Sequence, residues 1–178
     1  MRYALIREMD VSNGEGLGVS LFVQGCPFHC IGCFNQETWD FNGGQEWTKE
    51  VQKKFFDLVE RPYVKRISIL GGEPLANENV EDVLKLVLKL KQRYPFKKIW
   101  IYSGYTYESI KEKEFEYGAH SSRGLIIETA DVLVDGRFDI DKQDINHKQI
   151  KFAGSTNQRI IDLQKSFKQG RVVLYTLD

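Results

Sequence analysis

Apolar positions along this chain follow two periods in turn. Residues 19–24 (VSLFVQ) are apolar-rich and β-favouring, and they stop at Gly25, which permits a sharp turn. Residues 48–60 open on a capping residue, Thr48, and set Val51, Phe55, Leu58 and Val59 on one helical stripe, with Pro62 just beyond. Residues 66–70 (RISIL) predict a second strand, which runs into Gly71-Gly72-Glu73-Pro74. Helical spacing returns over 79–93 through Val80, Val83, Leu84, Val87, Leu88 and Lys91. Residues 97–102 predict a third strand ending at Ser103-Gly104-Tyr105, and 106–116 a short polar helix. Residues 124–130 read as the end of a helix, and 131–134 as a fourth strand ending at Asp135-Gly136-Arg137. The tail, 148–178, holds QIKFAGSTNQRIIDL and RVVLY, a late strand and an edge or terminal strand.

Strands of about five residues alternating with helices predict βαβ units, an α/β class and a mostly parallel sheet. Each predicted strand of that series ends at glycine: Gly25, Gly71-Gly72, Gly104 and Gly136. Ligands gather at the carboxyl ends of such strands. The chain is shorter than the roughly 250 residues of an eight-fold barrel, so an open or partial barrel of four to six strands fits better. No repeat, low-complexity run or linker divides it, which predicts one domain over 1–178.

At 178 residues the chain buries a substantial core, roughly 70% of its unfolded surface, without help from a disulfide or structural metal. Its 25 basic and 25 acidic side chains cancel, which argues against nucleic acid or an anionic membrane as a partner bound through bulk charge. MRYALIREMD lacks the apolar run of a signal peptide, and no stretch approaches a membrane span. The cytoplasm is the expected location.

All three cysteines fall in GCPFHCIGC, as Cys26, Cys30 and Cys33. An odd number defeats a purely internal disulfide scheme, and clustered thiols in a reducing compartment are more often ligands or redox groups. Structural zinc wants a fourth ligand, which would have to be His29, His120 or His147. Ferredoxin-type carriers use four cysteines per cubane at another spacing. A cubane here keeps one iron free of protein thiolate and open to a substrate or cofactor. Unliganded, buried cysteines are the remaining reading. His120 and His147 read as surface residues.

The C-x3-C-x2-C run at the end of the first strand resembles the cluster motif of radical S-adenosylmethionine (radical SAM) enzymes, and Gly71-Gly72-Glu73-Pro74 resembles their second motif. Longer blocks are similar to the family of activating proteins of anaerobic ribonucleoside-triphosphate reductase: NGEGLGVSLFVQGCPFHCIGCFNQETWDFNGG, SILGGEPL, IYSGYTYE, DVLVDGRF and GSTNQRIID. They cover almost the whole chain. One position departs from the wider superfamily, where an aromatic residue often precedes the third cysteine. Here Gly32 stands there, as in the activating proteins, and Phe34 follows as a contributor on the adenine side.

The resemblance implies a compact partial (β/α) barrel and an oxidoreductase. It implies a [4Fe–4S] cluster on Cys26, Cys30 and Cys33 whose fourth iron is chelated by S-adenosyl-L-methionine. One electron, from a flavodoxin-like or other donor, then yields methionine and a 5′-deoxyadenosyl radical. That radical takes hydrogen from a glycine Cα on the large subunit of anaerobic ribonucleoside-triphosphate reductase. Gly71, Gly72 and Glu73 fall to the methionine end of the cofactor, Ser103 and Gly104 to a ribose or carboxylate contact. Asp135 faces the same cavity or caps a turn. Arg159, in the GSTNQR block with Asn157, binds the cofactor carboxylate or the partner, or forms a surface salt bridge. The Gly-rich segment 13–18 lacks the Lys-Ser/Thr ending of a phosphate loop and reads as a flexible lead-in near the cluster. Trp39, Phe41 and Trp47 are candidates for a docking face, with at least one of them serving the core. The alternatives are a radical SAM enzyme acting on a small molecule or on another glycyl radical enzyme, and a non-enzymatic iron–sulfur carrier or zinc module.

Overall fold

Seven strands form one sheet in the computed structural model, which describes residues 1–116, 121–144, 146 and 149–177. They are β1 (Arg2–Asp10), β2 (Gly18–Val23), β3 (Gln45–Glu46), β4 (Arg66–Gly71), β5 (Lys98–Ser103), β6 (Val132–Asp135) and β7 (Arg159–Asp162), in the spatial order β3-β1-β2-β4-β5-β6-β7. Strands β2, β4, β5 and β6 are parallel neighbours. On one side β1 and β3 run antiparallel, and on the other so does β7. The expected mostly parallel sheet is therefore corrected to a mixed one, a parallel centre with antiparallel edges.

Period-two alternation sorts the two faces. Val19, Leu21, Val23, Ile67, Ile69, Ile99, Ile101 and Leu133 point to one side. There they pack against α1 (Lys49–Glu60), α2 (Val80–Arg93), α4 (Ser122–Thr129) and the start of α5 (Leu163–Gln169), while α3 (Tyr107–Glu116) contributes Ile110. Thr48 caps α1 as predicted, its side chain accepting from the Val51 N–H. The α2 stripe is rotated from its prediction: Leu86 and Leu90 are buried, Leu88 is exposed, and Lys91 pairs with Asp131 at 2.6 Å. Ser121 caps α4, so the stretch at 124–130 is helix as expected.

Three elements lacked a legible pattern. In β1, register shifts between Tyr3 and Leu5 and between Arg7 and Asp10 break the alternation. β3 is two residues long, and α5 follows β7 directly. The RVVLY stretch bonds to β7 through the Ile161–Leu174 bridge and the Tyr175 N–H to Ile160 O bond, a looser contact than the expected strand.

The other face carries Arg66, Ser68, Trp100, Tyr102, Val132 and Val134. Arg66 is fully buried. It donates to the carbonyls of Asp10 and Asn13, both at 2.6 Å, and lies 3.6 Å from the Asp10 carboxylate. The 13–18 segment thus wraps a buried guanidinium instead of forming a free lead-in. A Cβ on Gly18 would stand 2.6 Å from Arg66 Cζ, so glycine is required by that close approach.

Removing Arg66 strips a buried donor from the Asp10 and Asn13 carbonyls and one of two cations from the Asp10 carboxylate, the other being Arg7 at 3.6 Å. Arg66→Ala is expected to lower unfolding free energy by about 3–5 kcal/mol. Urea unfolding checks this, and a loss under about 1 kcal/mol would show that the loop does not depend on the arginine.

Candidate active site

The parallel strands β2, β4, β5 and β6 end around a cavity of about 380 Å³. Cys26, Cys30 and Cys33 all line it, with Phe34, Gly71, Gly72, Glu73, Ser103 and Gly104. Sequence reasoning named all of these, and the fold brings them together.

The cysteine loop begins where Gly25, at φ +95°, turns the chain out of β2. Its Cβ position is filled by Phe41, 2.0 Å away. Cys26 N–H then donates to Trp39 O at 3.0 Å, fixing the first cysteine. The Asn35 N–H donates to Cys33 Sγ at 3.4 Å, while the backbones of Phe28 and His29 at Cys26 and of Phe138 at Cys30 favour the thiolate form. Burial pushes the Cys26 thiol up to about 11 and also raises Cys30. A nucleophilic or redox thiol needs the opposite shift. Thiols held protonated by burial, yet surrounded by N–H donors, suit ligands that a metal deprotonates. This donor set fits an iron–sulfur cluster. Among the described residues, no group of three or more His, Cys, Asp or Glu side chains is placed to hold a single metal ion. A cubane instead spreads three thiolates over three irons.

Gly32 has φ +74°, and its Cβ would lie 2.7 Å from Ile140 Cδ1. The left-handed backbone disfavours a side chain there, and Ile140 would have to give way to one. Phe34 packs on Phe138 with ring centroids 5.2 Å apart. His29 has φ +46° and stacks on Trp39 at 4.7 Å, outside the cavity lining. His120 and His147 lie outside the described residues.

The Gly-Gly-Glu turn meets the cysteine loop directly. A Cβ on Gly72 would sit 2.3 Å from Gly25 O, and the Glu73 N–H donates to that same carbonyl at 2.8 Å. Glu73 is buried. Its Oε1 accepts from Leu75 N–H and Ser103 Oγ–H, both at 2.8 Å, and its Oε2 from Gly104 N–H at 2.7 Å. A carboxylate offers about four lone-pair sites, so Oε2 keeps one direction for a cavity-side donor. Burial raises the Glu73 carboxyl to about 7.

Asp135 and Arg159 do not line the cavity. Asp135 accepts from the Tyr107 N–H at 2.8 Å and from Arg159 Nε at 2.9 Å. Arg159 also meets Glu108 through two bonds, at 3.0 and 2.6 Å, and these two carboxylates push its pKa up. Asn157 donates to Arg137 O at 2.9 Å, holding the loop after β6. Trp47 packs edge-on against Tyr3 and Phe55, both at 5.7 Å, so it serves the core as expected of at least one of the three aromatics.

Phe28, Arg137 and Gln158 are among the further residues that the structure adds to the lining. Phe28 fills the space above Gly104, where a Cβ would meet it at 2.4 Å. Arg137 stands over the Phe28 ring at 4.3 Å, and its charge acts on Cys30. Gln158 accepts from the Gly154 N–H and donates to Gly136 O, at 2.8 and 2.9 Å. The DVLVDGRF and GSTNQR blocks held this signal, but spacing alone does not show which of their polar residues turns inward.

Comparison with known proteins agrees with the geometry. A family described as "4Fe-4S single cluster domain" matches residues 12–161. The anaerobic ribonucleoside-triphosphate reductase-activating protein of Escherichia coli (strain K12) is 34% identical over 166 residues, 92% of this chain and 100% of its own length. The protein of that description from Salmonella typhimurium is 36% identical with the same coverage, and that of Enterobacteria phage T4 is 34% identical over 90% of this chain and 93% of its own. The chain therefore belongs to the radical SAM superfamily and, within it, to the family of anaerobic ribonucleoside-triphosphate reductase-activating proteins.

Proposed function

We propose that this chain is an iron–sulfur activase that cleaves S-adenosylmethionine reductively and generates a glycyl radical on the large subunit of an anaerobic ribonucleoside-triphosphate reductase. The observation that carries this function is the convergence of all three cysteines and the Gly-Gly-Glu turn on one cavity. Residues 1–178 act as one radical SAM domain with the sheet curved as a partial barrel. The protein works in the cytoplasm with a flavodoxin-like or other one-electron donor.

Cys26, Cys30 and Cys33 would hold a [4Fe–4S] cluster, which supplies the electron that splits S-adenosylmethionine into methionine and a 5′-deoxyadenosyl radical. Glu73 Oε2 receives the amino group of the methionine end, in line with its open lone pair. Arg137, at the cavity mouth, meets the carboxylate, a charge-assisted contact. Ser103 and Gly104 are held by Glu73 and shape the wall beside it. Phe28 and Phe34 offer ring faces to the adenine. Asp135 and Arg159 position the β6 loop.

The test is anaerobic reconstitution with iron and sulfide, reduction, and addition of S-adenosylmethionine and the co-encoded large subunit. The expected result is 5′-deoxyadenosine together with a glycyl radical by electron paramagnetic resonance. Cys26→Ala, Cys30→Ala and Cys33→Ala should each abolish both signals while the circular dichroism of the fold persists. Full activity in any one of them would remove the cluster assignment. Arg137→Met is expected to weaken cofactor binding about tenfold, or about 1.4 kcal/mol. Equilibrium dialysis measures this, and unchanged affinity would take Arg137 out of the cofactor site.

Glu73 adds a pH dependence. Its folded-state pKa of about 7 lies above the ordinary 4.5, so the cluster-free folded protein binds the extra proton between those values. Stability therefore falls as pH rises through this window. Relative to Glu73→Gln, the cluster-free wild type should lose at most about 3 kcal/mol between about pH 4.5 and 7.5. Urea midpoints of the two proteins compare this directly, and a flat difference would contradict a buried, neutral Glu73.

A further inference from the structure

A target glycine has no side chain for a pocket to recognise. Whatever aligns it must grip main chain and flanking residues, and glycine in a strand suits close approach of another backbone. A glycine is the target only under the activase function proposed above.

β1 is nine residues long, but β3 pairs with it only at Arg2 and Tyr3. From residue 4 to 9, no strand among the described residues lies along its outer edge. Edge strands are normally blunted by charge, proline or a covering element. This one carries exposed Arg7 and Glu8, the latter 3.5 Å from Arg61, but it also exposes Leu5 (47%) and Met9 (62%), with Val11 (68%) just after it. Leu5 sits opposite Phe22 in the ladder, so both project from the same face of the sheet. Phe22 and Arg7 line the cavity that holds the cysteines, and the Arg7 guanidinium lies 5.1 Å from the Phe22 ring. The cavity thus extends from the thiols to Arg7 of β1. Ile31 and Ile140 are exposed beside the cysteine loop, but neither lines the cavity.

We propose that residues 4–9 of β1 take up the glycine-bearing segment of the reductase large subunit as an added strand, with Leu5 on the Phe22 face and Met9 and Val11, at and beyond the register shift, contacting its apolar side chains. Main-chain bonds supply alignment in such additions, and side-chain contacts on alternate residues supply specificity. The register then carries the glycine past Arg7 and Phe22 into the cavity.

Hydrogen exchange on the cluster-loaded protein reads the edge directly. Adding the co-encoded large subunit should slow the outward amides of residues 4–9 at least tenfold. The double variant Leu5→Lys/Met9→Lys should cleave S-adenosylmethionine like wild type when no reductase is present. It should also need at least tenfold more large subunit for half-maximal glycyl radical. Unchanged exchange, with an unchanged half-maximum in a variant that still cleaves the cofactor, would overturn strand addition and leave the activase standing. Slowing that appears when the protein alone is concentrated would place a second copy on the edge and also overturn it. No cofactor cleavage by the wild type would overturn the activase itself, and this proposal with it.

Discussion

One buried carboxylate joins the strand ends on which the site depends. Glu73 bonds through its main-chain N–H to Gly25 at the end of β2, and through its side chain to Ser103 and Gly104 at the end of β5. Its carbonyl accepts from Asn79, whose amide also reaches Gln24 O, at 3.0 and 2.9 Å. Three loops and the start of α2 are therefore fixed relative to the cysteines by one residue. The glycines before it follow from that closeness. Gly71, at φ +106°, and Gly72 lie where a side chain would enter the backbone of Phe22 and Gly25. Their first duty is to let two strand ends touch, and the shape presented to a cofactor is a consequence.

The same logic separates charges that hold the site from charges that face it. Arg159 commits four of its five N–H donors to Asp135 and Glu108, and Asp135 is in turn held by the start of α3. These three residues tie β6, β7 and α3 into one unit. With Asn157 and Gln158 they fix the loop that presents Arg137. An ion pair so engaged is a poor ligand for a small anion, because binding would have to break charge-assisted bonds already made. Arg137, resting on an aromatic ring, gives up much less when it turns to a carboxylate.

The parallel centre and the cysteine and Gly-Gly-Glu turns were legible because their signals are local. A run of β-favouring residues followed by glycine needs no distant partner to be recognised. The edges were not. β1 hides its period behind two register shifts, and β3 is too short to have one. The roles of Asp135, Arg137 and Arg159 depended on which neighbour each side chain meets, and sequence spacing does not encode that. Glycine at 32 was visible as a departure, but its cause, Ile140 pressed against a left-handed turn, is a tertiary contact.

Electrostatics then explain why the cavity suits a metal group better than free thiol chemistry. Cys26 lies near the carboxyl of Glu73, and Cys30 near Cys33, so each potential negative charge raises the proton affinity of another. Burial acts in the same direction on Cys26, Cys30 and Glu73. Arg137 near Cys30 and Arg123 near Glu73 offset this only in part, and the favoured state is a neutral, protonated one. The N–H donors around the sulfurs only partly offset this, since they soften a thiolate without supplying a net charge. A metal group held by the three cysteines would take the thiol protons, but three thiolates outweigh the charge of a cubane core, so the loaded site stays net negative and does not itself draw Glu73 toward its ionised form. A cationic amino group brought to Oε2 would supply the missing positive charge, so receiving such a group and releasing the buried Glu73 proton would be coupled.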